Sequence, residues 1–305
     1  MLVKNILVIG SSNIDLIALV NRFPRPGETV GDAVFKKMFG GKGANQAIAA
    51  VRSGGNVTFV TSLGNDGYAH ELKEHFHANG INTDYIVQAN DYPTGVALIM
   101  VDKSGENFIA VAPGANDKLT PDLVDERLIE WADMVLMQLE IPYETVRHLA
   151  WLTKKYNTLL MLNPAPARVL DKDVLQCVDY LVLNESEANL ISGSDINEDG
   201  IEVVAKKLSN MGSTVIIITL GKDGSYLFSE KIKKEIPAFP VKTVDSTAAG
   251  DTFCGVLSVS ISNGTEITEA VRFASAAGAI SVTKLGAQDS IPMQSEIESF
   301  LEKNN

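Results

Sequence analysis

Cysteine is scarce in this sequence of 305 residues, which contains only Cys177 and Cys254. Two cysteines are too few for the disulfide framework that small secreted proteins use in place of a large core. Hydrophobic residues make up 45% of the chain and charged residues 21%, close to the averages of folded soluble domains. The scarcity therefore excludes a disulfide-stapled module and predicts a folded cytoplasmic protein.

The sequence also lacks a basic patch and a long uninterrupted apolar run. Its 26 lysine and arginine residues stand against 38 acidic residues, which gives a formal net charge of −12. Recognition of a phosphate backbone needs clustered positive charge, so we expect no nucleic-acid partner. The long apolar stretch near the amino terminus carries Asp15 and Arg22, and we expect neither a signal peptide nor a membrane span.

Three common enzyme motifs are missing. The run Gly40-Gly41-Lys42-Gly43 has neither the spacing nor the terminal hydroxyl of a Walker loop. Gly10 is followed by Ser11-Ser12-Asn13, which is not the glycine pattern of a dinucleotide-binding fold. No G-x-S-x-G motif is present. These absences disfavour P-loop, nicotinamide and serine-hydrolase chemistry.

Histidines and glutamates between residues 70 and 77 have the composition of a metal site. Zinc ligands on a helix are spaced four residues apart, whereas His70 and His75 are five apart. On a helix, side chains with this spacing point about 140° away from each other. We interpret the group as a solvent-exposed helix face.

Strand-like and helix-like segments alternate along most of the chain. Buried strands are predicted at 6–10, 57–63, 133–139, 158–163, 180–184 and 214–220, and helices at 42–53, 68–79, 142–156, 185–192, 201–211, 249–262, 265–284 and 294–302. This order predicts one α/β domain over residues 1–305, with a doubly wound, mostly parallel central sheet flanked by helices. The segments 16–39 and 94–113 alternate like antiparallel strands without a crossover helix, and we expect them to form a small β-sheet lid.

Polar side chains stand at predicted junctions between a strand and a helix, where open α/β sheets bind ligands. Asn13 and Asp15 are two residues apart on an extended segment, so their side chains leave the same face. An amide beside a carboxylate can hold vicinal hydroxyl groups. A plain turn with a hydrogen-bonded Asx pair fits this segment equally well.

A glycine pair, Gly40 and Gly41, precedes a predicted helix. Glycine lets the backbone approach a ligand closely, and Lys42 and Asn45 share one face of the first turn. The alternative is that the pair forms a hinge between the lid and the helix. The two interpretations are compatible.

Asn184 and Glu187 follow another strand and share one face at the start of a helix. Such a pair can organise a hydrated Mg²⁺ beside nucleotide phosphates, although an asparagine alone at this position is more often a helix cap. The segment from Thr219 to Gly224 is a turn that suits a nucleotide or a plain hairpin.

Residues 245–253 form the most informative segment. Small residues lead into a helix whose first amides, at Ala248, Ala249 and Gly250, can face an anion with the support of the helix dipole. Asp251 lies at this anion site. An isolated aspartate here would be assigned as a dipole partner, but beside the glycine turns and the Asn13–Asp15 pair we interpret it as a general base.

Several motifs together resemble the phosphofructokinase-B-like, or ribokinase-like, family of sugar and nucleoside kinases. The resemblance rests on Gly10-Ser11-Ser12-Asn13-Ile14-Asp15, Gly40-Gly41-Lys42-Gly43-Ala44-Asn45, Met137-Gln138-Leu139-Glu140, Asn163-Pro164-Ala165-Pro166, Asn184-Glu185-Ser186-Glu187 and Ala249-Gly250-Asp251-Thr252. It extends from the first strand to about Pro292. The glycine-pair and Ala-Gly-Asp motifs mark the family, and the remaining motifs favour its ribokinase branch.

The resemblance implies an ATP-dependent kinase that transfers the γ-phosphoryl group of ATP to the 5-hydroxyl of ribose. It assigns sugar binding to Asn13, Asp15, Gly41, Lys42, Asn45, Glu140 and Asp251. It assigns ATP binding to Asn184, Glu187, Thr219, Gly221, Gly224 and Gly250, with Glu187 acting through Mg²⁺ and its waters. Asp251 would take the proton of the attacking hydroxyl, and the amides of Ala248, Ala249 and Gly250 would stabilise the phosphoryl group in flight.

The same resemblance implies a K⁺ site beside these amides. Its ligands would be the Asp245 carboxylate, the Ser290 hydroxyl and the backbone carbonyls of Thr247, Ser281, Lys284 and Gly286, with residues 281–290 forming a strand-like segment. From the residues alone, Asp245 is better explained as the cap of a turn. The resemblance further implies that the lid closes over the site to exclude water and supplies a homodimer contact.

Ribose phosphorylation is the leading interpretation within the family. Ser246 stands where ribokinases usually have threonine, and Ser275 where some have a histidine near the adenine. The alternative is a sister kinase that acts on deoxyribose, another sugar or a nucleoside. A catalytically inactive sugar-binding regulator is disfavoured because Asp251 and its anion site are intact.

Overall fold

The structure, a computed structural model, describes residues 4–304. Within these residues the strands are β1 (Asn5–Ile9), β2 (Asn13–Leu19), β3 (Val34–Gly40), β4 (Asn56–Val60), β5 (Ser62–Leu63), β6 (Val87–Gln88), β7 (Gly95–Val101), β8 (Asn107–Ala112), β9 (Met134–Met137), β10 (Leu159–Leu162), β11 (Tyr180–Asn184), β12 (Val215–Thr219), β13 (Ser225–Phe228) and β14 (Lys233–Ile236). The α-helices are α1 (Lys42–Arg52), α2 (Gly67–Ala78), α3 (Glu126–Trp131), α4 (Tyr143–Tyr156), α5 (Lys172–Leu175), α6 (Glu185–Ser192), α7 (Ile196–Asp199), α8 (Ile201–Met211), α9 (Ala249–Ser262), α10 (Ile267–Ser281) and α11 (Gln294–Lys303).

Eight strands form the main sheet, in the order β14-β13-β12-β11-β10-β9-β1-β4. The six from β12 to β4 are parallel to their neighbours, and β13 and β14 add an antiparallel edge. The parallel strands are apolar on both faces, which is typical of a sheet covered by helices on both sides. The predicted doubly wound, mostly parallel sheet is confirmed.

Alternation along each strand divides the hydrophobic core into two layers. Ile6 and Val8 of β1 pack with α1, α2, α9, α10 and α11 on one face of the sheet. Leu7 and Ile9 pack with α3, α4, α5, α6 and α8 on the other face. Successive side chains of a strand point to opposite faces, so one run of apolar residues contributes to both layers.

A small sheet lies apart from the main sheet and has the strand order β3-β2-β7-β8. It begins at Asn13, three residues before the predicted start of the lid. The β2–β3 and β7–β8 pairs are antiparallel as predicted, but β2 and β7 are parallel. The parallel pairing is possible because α1, β4 and α2 carry the chain from β3 back to β7.

Three other predictions need correction. Residues 281–290 are not strand-like: α10 runs to Ser281, and turns lead into a short 3-10 helix at Gln288–Ser290. The backbone N–H groups of Val282 and Thr283 donate to the carbonyls of Gly278 and Ile280, which continues helical geometry beyond the expected start of the strand, and the Ser281 and Thr283 hydroxyls donate to the same two carbonyls. The predicted strand at 57–63 divides into β4 and β5, and β13 and β14 were not predicted.

Among residues 4–304, no helix has the length and apolar character needed to cross a membrane.

Candidate active site

The glycine pair lies where β3 meets α1, against the segment that follows β1. A Cβ on Gly40 would lie 2.3 Å from Oδ2 of Asp15, and one on Gly41 would lie 2.8 Å from the backbone nitrogen of Asn13. Gly41 also has a φ of 90°, which favours glycine. The pair therefore lets the backbone at the start of α1 pack closely against the segment that follows β1.

Asn13 is held by a residue that the sequence did not single out. Its Oδ1 accepts a hydrogen bond of 2.8 Å from Nδ2 of Asn116, and both residues are buried. The Oδ1 of Asn116 in turn accepts from the backbone N–H of Ser12 at 2.9 Å. These bonds fix the orientation of the Asn13 amide at the start of β2.

Acidic side chains gather around Lys42 at the carboxyl ends of β1 and β9. Glu140 accepts hydrogen bonds from the Ser11 hydroxyl at 2.5 Å and from the Lys42 backbone N–H at 3.0 Å. Burial, with the charges of Glu140 and Asp251, raises the pKa of Asp15 from 3.8 to about 7. Burial opposes the charge on Lys42, but Asp251, Glu140 and Glu187 together hold its pKa above the ordinary value. The lysine therefore stays charged and balances part of the cluster.

Asp251 lies in the first turn of α9 and is nearly buried. Its Oδ2 accepts from Nδ2 of Asn45 and its Oδ1 from Nε2 of Gln46, each at 2.9 Å. Both donors belong to α1. This helix packs tightly against α9 at Gly255, where a Cβ would lie only 2.5 Å from the Cβ of Ala49. A carboxylate with two fixed donors is held in one orientation and stays available as a proton acceptor.

The start of α9 has an unusual backbone. Ala248 is its N-cap residue, with φ 59° and ψ 13°, in the left-handed region that non-glycine residues seldom occupy. The following amides begin a 14-residue helix and have no acceptor within it, as at any helix start. The N–H of Ala249 makes a long bond of 3.3 Å to the Ser246 carbonyl. A Cβ on Gly250 would meet nothing within 4 Å, so space is open in front of this turn.

A cavity of about 230 Å³ opens at this helix start, along the carboxyl ends of β10, β11 and β12. It brings together eight of the predicted site residues with Asn163, Ser246 and Cys254; the eight are Lys42, Asn184, Glu187, Thr219, Ala248, Ala249, Gly250 and Asp251. The cavity therefore lies at the carboxyl ends of the parallel strands, where open α/β sheets bind ligands.

Asn184 and Glu187 form a reciprocal cap at the start of α6. The Asn184 Oδ1 accepts from the Glu187 backbone N–H, and Glu187 Oε2 accepts from the Asn184 backbone N–H, each at 2.9 Å. The capping interpretation of Asn184 is thus correct, and the second carboxylate oxygen of Glu187 remains for another ligand. Burial raises the pKa of Glu187 above its ordinary value, with a smaller contribution from Asp251.

The turn after β12 has two glycines with different roles. Gly224 has a φ of 99°, and a Cβ there would lie 2.1 Å from the Ile236 carbonyl oxygen of β14. Gly221 has a φ of 57°, but a Cβ there would meet nothing within 4 Å. Gly224 is therefore needed for packing of the sheet edge, whereas Gly221 faces open space beside Thr219.

Asp245 contacts two of the other predicted cation ligands, Thr247 and Gly286. Its Oδ1 accepts from the Thr247 backbone N–H at 2.9 Å and from the Thr247 hydroxyl, and its Oδ2 accepts from the Gly286 N–H at 2.9 Å. Burial raises the pKa of Asp245, but these bonds outweigh it and bring the pKa below its ordinary value. The Ser290 hydroxyl donates to the Ala287 carbonyl at 2.7 Å, and the Lys284 N–H bonds to the Ser281 carbonyl at 3.1 Å.

Asp245 therefore does cap a turn, as the residues alone indicated. It also joins the segment before α9 to the segment after α10, which a local cap would not do.

Several contributors were missed at the level of sequence. Gln46 contacts Asp251, and Asn163 accepts from Gln46 at 3.2 Å. Asn163 belongs to a motif quoted for the family resemblance, so its place at the end of β10 was a usable signal. His75 turns inward from the supposedly exposed face of α2 and bonds to Gln288, so the interpretation of that face was wrong for His75.

The comparisons with known proteins agree with this geometry. A family model described as "pfkB family carbohydrate kinase" matches residues 3–294. The chain belongs to this family. It is 39% identical over 302 residues to the ribokinase of Haemophilus influenzae, covering 98% of this chain and 99% of the relative.

Two solved structures of this family extend the comparison. The ribokinase of Thermotoga maritima superimposes with a TM-score of 0.90 at 41% identity, covering 98% of this chain and 99% of that one. The ribokinase of Arabidopsis thaliana, complexed with ribose and ATP, gives a TM-score of 0.92 at 30% identity and covers 99% of both chains. The expected family, the expected fold and the expectation of an ATP-dependent sugar kinase are confirmed.

Proposed function

We propose that this carbohydrate kinase transfers the γ-phosphoryl group of ATP to the 5-hydroxyl of ribose, giving ribose 5-phosphate and ADP. The observation that carries the proposal is the position of Asp251. Asp251 lines the cavity at the start of α9 together with Lys42, and its charge acts on both Asp15 and Lys42. In this proposal a sugar held beside Asp15, Lys42 and Glu140 presents its terminal hydroxyl to Asp251, and the phosphates of ATP occupy the cavity at the start of α9.

The cluster suits a neutral polyol. Asp15 and Glu140 are hydrogen-bond acceptors, and the hydroxyl groups of a sugar are donors. An anionic sugar acid would place a further negative charge beside Asp15, Glu140 and Asp251, which only Lys42 offsets. The acidic surroundings thus favour a pentose over a sugar acid. Asn13, Gly41 and Asn45 complete the proposed sugar site.

In the proposed mechanism Asp251 accepts the proton of the attacking hydroxyl while Asn45 and Gln46 keep its carboxylate oriented. The amides of Ala248, Ala249 and Gly250 donate to the oxygens of the transferring phosphoryl group. The left-handed conformation of Ala248 sets the direction of the amides that follow it. ATP is proposed to lie along Asn184, Thr219, Gly221 and Gly224, with its phosphates near Gly250.

Mg²⁺ and K⁺ fit the residues that would hold them. Glu187 keeps a carboxylate oxygen beyond its capping bond and lines the cavity, which suits a hydrated Mg²⁺ held through water. Mg²⁺ supplies charge neutralisation on the phosphates. Asp245 joins both segments of the proposed K⁺ site, whose other ligands are Ser290 and the carbonyls of Thr247, Ser281, Lys284 and Gly286.

We extend the proposal to a cytoplasmic homodimer. Cys177 and Cys254 are free thiols, which suits a reducing compartment. The small sheet carries exposed apolar side chains beside the proposed sugar site, including Val34 and Ile109. We propose that this sheet serves as the lid and as the dimer contact.

A substrate panel tests the proposal. ADP release is measured with ribose, 2-deoxyribose, fructose, a keto-deoxy sugar acid and a nucleoside as acceptors. We expect the highest kcat/KM with ribose, because groups of the site committed to a hydroxyl are left unpaired when that hydroxyl is missing, at a cost of about 1–3 kcal/mol each. Equal values for ribose and 2-deoxyribose would move the assignment to a sister kinase.

Replacement of the base tests the mechanism. We expect Asp251→Asn to lower kcat by at least about a hundredfold, the lower end of general-base contributions. Ribose should still bind, as measured by calorimetry, because Asp15 and Lys42 are unchanged. Asp84→Asn, the same change at an exposed position, is the control and should retain full activity. Near-normal turnover of Asp251→Asn would remove Asp251 as the base.

A further inference from the structure

A chain of buried amides connects Asp251 with a histidine on another helix. Asn45 donates from Nδ2 to Asp251 Oδ2 at 2.9 Å and accepts at Oδ1 from Gln288 Nε2 at 3.1 Å. Gln288 Oε1 lies 2.8 Å from His75 Nε2. Gln288 is only 2% exposed, so water does not readily replace these partners. The chain joins α1, α2 and the 3-10 helix at Gln288–Ser290.

A carboxylate at Asp251 sets the direction of every bond in this chain. A carboxylate only accepts, so Asn45 must turn its NH₂ group toward Asp251 and its oxygen toward Gln288. Gln288 must then donate to Asn45, which turns its own oxygen toward His75. The Nε2 atom of His75 therefore carries the proton in this arrangement. Each amide has one orientation that satisfies both of its neighbours.

Further contacts hold the far end of the chain in place. The His75 ring stacks on Phe39, with ring centroids 4.1 Å apart and planes 19° from parallel. Arg52 donates to the Gln288 backbone carbonyl at 2.6 Å and to Asn79 Oδ1 at 3.2 Å. Burial lowers the pKa of His75, and the charge of Arg52 lowers it further. A neutral ring with its proton on Nε2 matches the required direction.

We propose that Gln288 is a positioning residue for phosphoryl transfer: its NH₂ group, fixed by His75, turns the Asn45 amide so that Asn45 donates to the proton-accepting carboxylate of Asp251. The inference rests on the proposed role of Asp251 as the base. Gln288 is separated from Asp251 by the Asn45 side chain and acts through it. In its absence the Asn45 amide can reverse, and its oxygen then faces the carboxylate.

Gln288→Glu is the diagnostic variant because it keeps the shape of the side chain and the acceptor for His75. It replaces the donor facing Asn45 with an acceptor, which favours the reversed amide. We expect kcat to fall by about tenfold or more, the equivalent of one hydrogen bond to a charged group. The KM for ATP should stay unchanged. Gln88→Glu, the same change at an exposed position of β6, is the matched control.

A double-mutant cycle with Asn45→Ala separates positioning from a merely structural role. If Gln288 acts through Asn45, Gln288→Glu lowers kcat in the unchanged chain but has no further effect in the Asn45→Ala background. A structural role of the 3-10 helix would produce the same loss in both backgrounds, and that result would overturn the inference. The melting temperature of each variant confirms that folded proteins are compared.

His75→Phe gives a second, independent test. The variant keeps an aromatic ring against Phe39 and removes both ring nitrogens, including the Nε2 donor to Gln288. We expect a several-fold fall in kcat that is absent in the Gln288→Glu background. An unchanged kcat for both Gln288→Glu and His75→Phe would overturn the inference.

The cycle is measured with whichever sugar of the panel the unchanged chain phosphorylates best. A preference for another sugar would contradict the proposed substrate and leave the cycle interpretable, because Asp251 accepts a proton from any alcohol acceptor. A hundredfold loss in Asp251→Asn with no loss in Gln288→Glu would contradict the inference alone.

Discussion

At the scale of single residues, Asp15 shows the conflict between binding and stability. A carboxylate suits a site for hydroxyl donors, but here it is partly buried near Glu140 and Asp251. Its pKa of about 7, against 3.8 for the unperturbed group, means that the folded protein retains a proton over a pH range in which the unfolded chain has lost it. Stability contributed by this position therefore falls as the pH rises from about 4 to 7 and is constant above that.

We predict that Asp15→Asn stabilises the protein at pH 8 and has little effect near pH 4. The gain at pH 8 is on the order of 4 kcal/mol, because each unit of pKa shift corresponds to about 1.4 kcal/mol. Denaturant unfolding at several pH values measures it, with Asp117→Asn at an exposed position as the control. The same variant should raise the KM for ribose. A gain that is equal at pH 4 and pH 8 would contradict the buried-charge explanation.

Which site residues could be predicted from the sequence depends on the range of their contacts. Asn13, Asp15, Lys42 and Asp251 stand beside glycines and strand ends, so local spacing was sufficient to select them. Gln46 contacts Asp251 across 205 residues of sequence, and His75 contacts Gln288 across 213. Neither has a local signal, because only the packing of α1, α2 and α9 brings these partners together.

At the scale of elements, the start of α9 depends on one left-handed residue. Ala248 has a Cβ, and this conformation costs about 1 kcal/mol or more for such a residue. The neighbouring hydrogen bond from the Thr252 N–H to the Ala248 carbonyl, at 2.8 Å, helps to hold the turn. Strain of this kind is typical of functional loops, since it fixes the direction of the following amides.

We predict that Ala248→Gly retains most activity and that Ala248→Val loses about tenfold or more in kcat. Glycine adopts a positive φ without strain, whereas a β-branched residue opposes it and distorts the amides that face the phosphoryl group. Steady-state assays with ribose and ATP measure both variants, and calorimetry checks that ribose binding is retained. Comparable activity of the two variants would show that this conformation has no role in catalysis.

The parallel strands of the main sheet, four or five residues long and largely apolar, were the most predictable elements, because burial on both faces leaves a continuous apolar run. The small sheet was predicted with approximate bounds, but its parallel pair was not predicted, because the chain between β3 and β7 passes through α1, β4 and α2, outside the small sheet. The segment 281–290 was assigned wrongly. The hydroxyls of Ser281 and Thr283 donate to carbonyls at the end of α10. The sequence pattern of the segment does not distinguish these turns from a strand.

The turn at Asp245 carries the prediction for a monovalent cation. We expect kcat/KM to be several-fold higher in K⁺ than in Na⁺ at matched ionic strength, because a large, weakly hydrated ion held by carbonyls would fix the turn before α9. Asp245→Ala should abolish the difference between the two ions. The ratio of the two activities is the readout, since loss of the bonds to Thr247 and Gly286 lowers both activities equally. Activity indifferent to the exchange would remove the cation site and leave the kinase unaffected.

At the scale of the whole molecule, the proposed sugar site lies where the buried main sheet meets the solvent-exposed small sheet. The main sheet is covered by helices on both faces. The small sheet has exposed apolar side chains on the face that carries Asp15. Residues in register across its strands share a face, which places Val111 with Asp15, and Ile17 with Lys36, Ile99 and Ile109. Val34, Ile109 and Val111 are 52–59% exposed on this face. Isolated apolar residues on a surface are ordinary, but a contiguous patch marks an interface.

We predict that the chain is a homodimer in solution and that Ile109→Lys raises its dissociation constant by tenfold or more, about 1.4 kcal/mol or more. The charge would be placed in the apolar patch beside the sugar site, where burial is costly. Phe108→Lys tests the opposite face of the sheet, because Phe108 is adjacent in sequence and 64% exposed, against 56% for Ile109. Sedimentation velocity over a range of concentrations measures both variants. A monomeric unchanged chain, or equal weakening by both variants, would contradict a dimer formed through the face that carries Asp15.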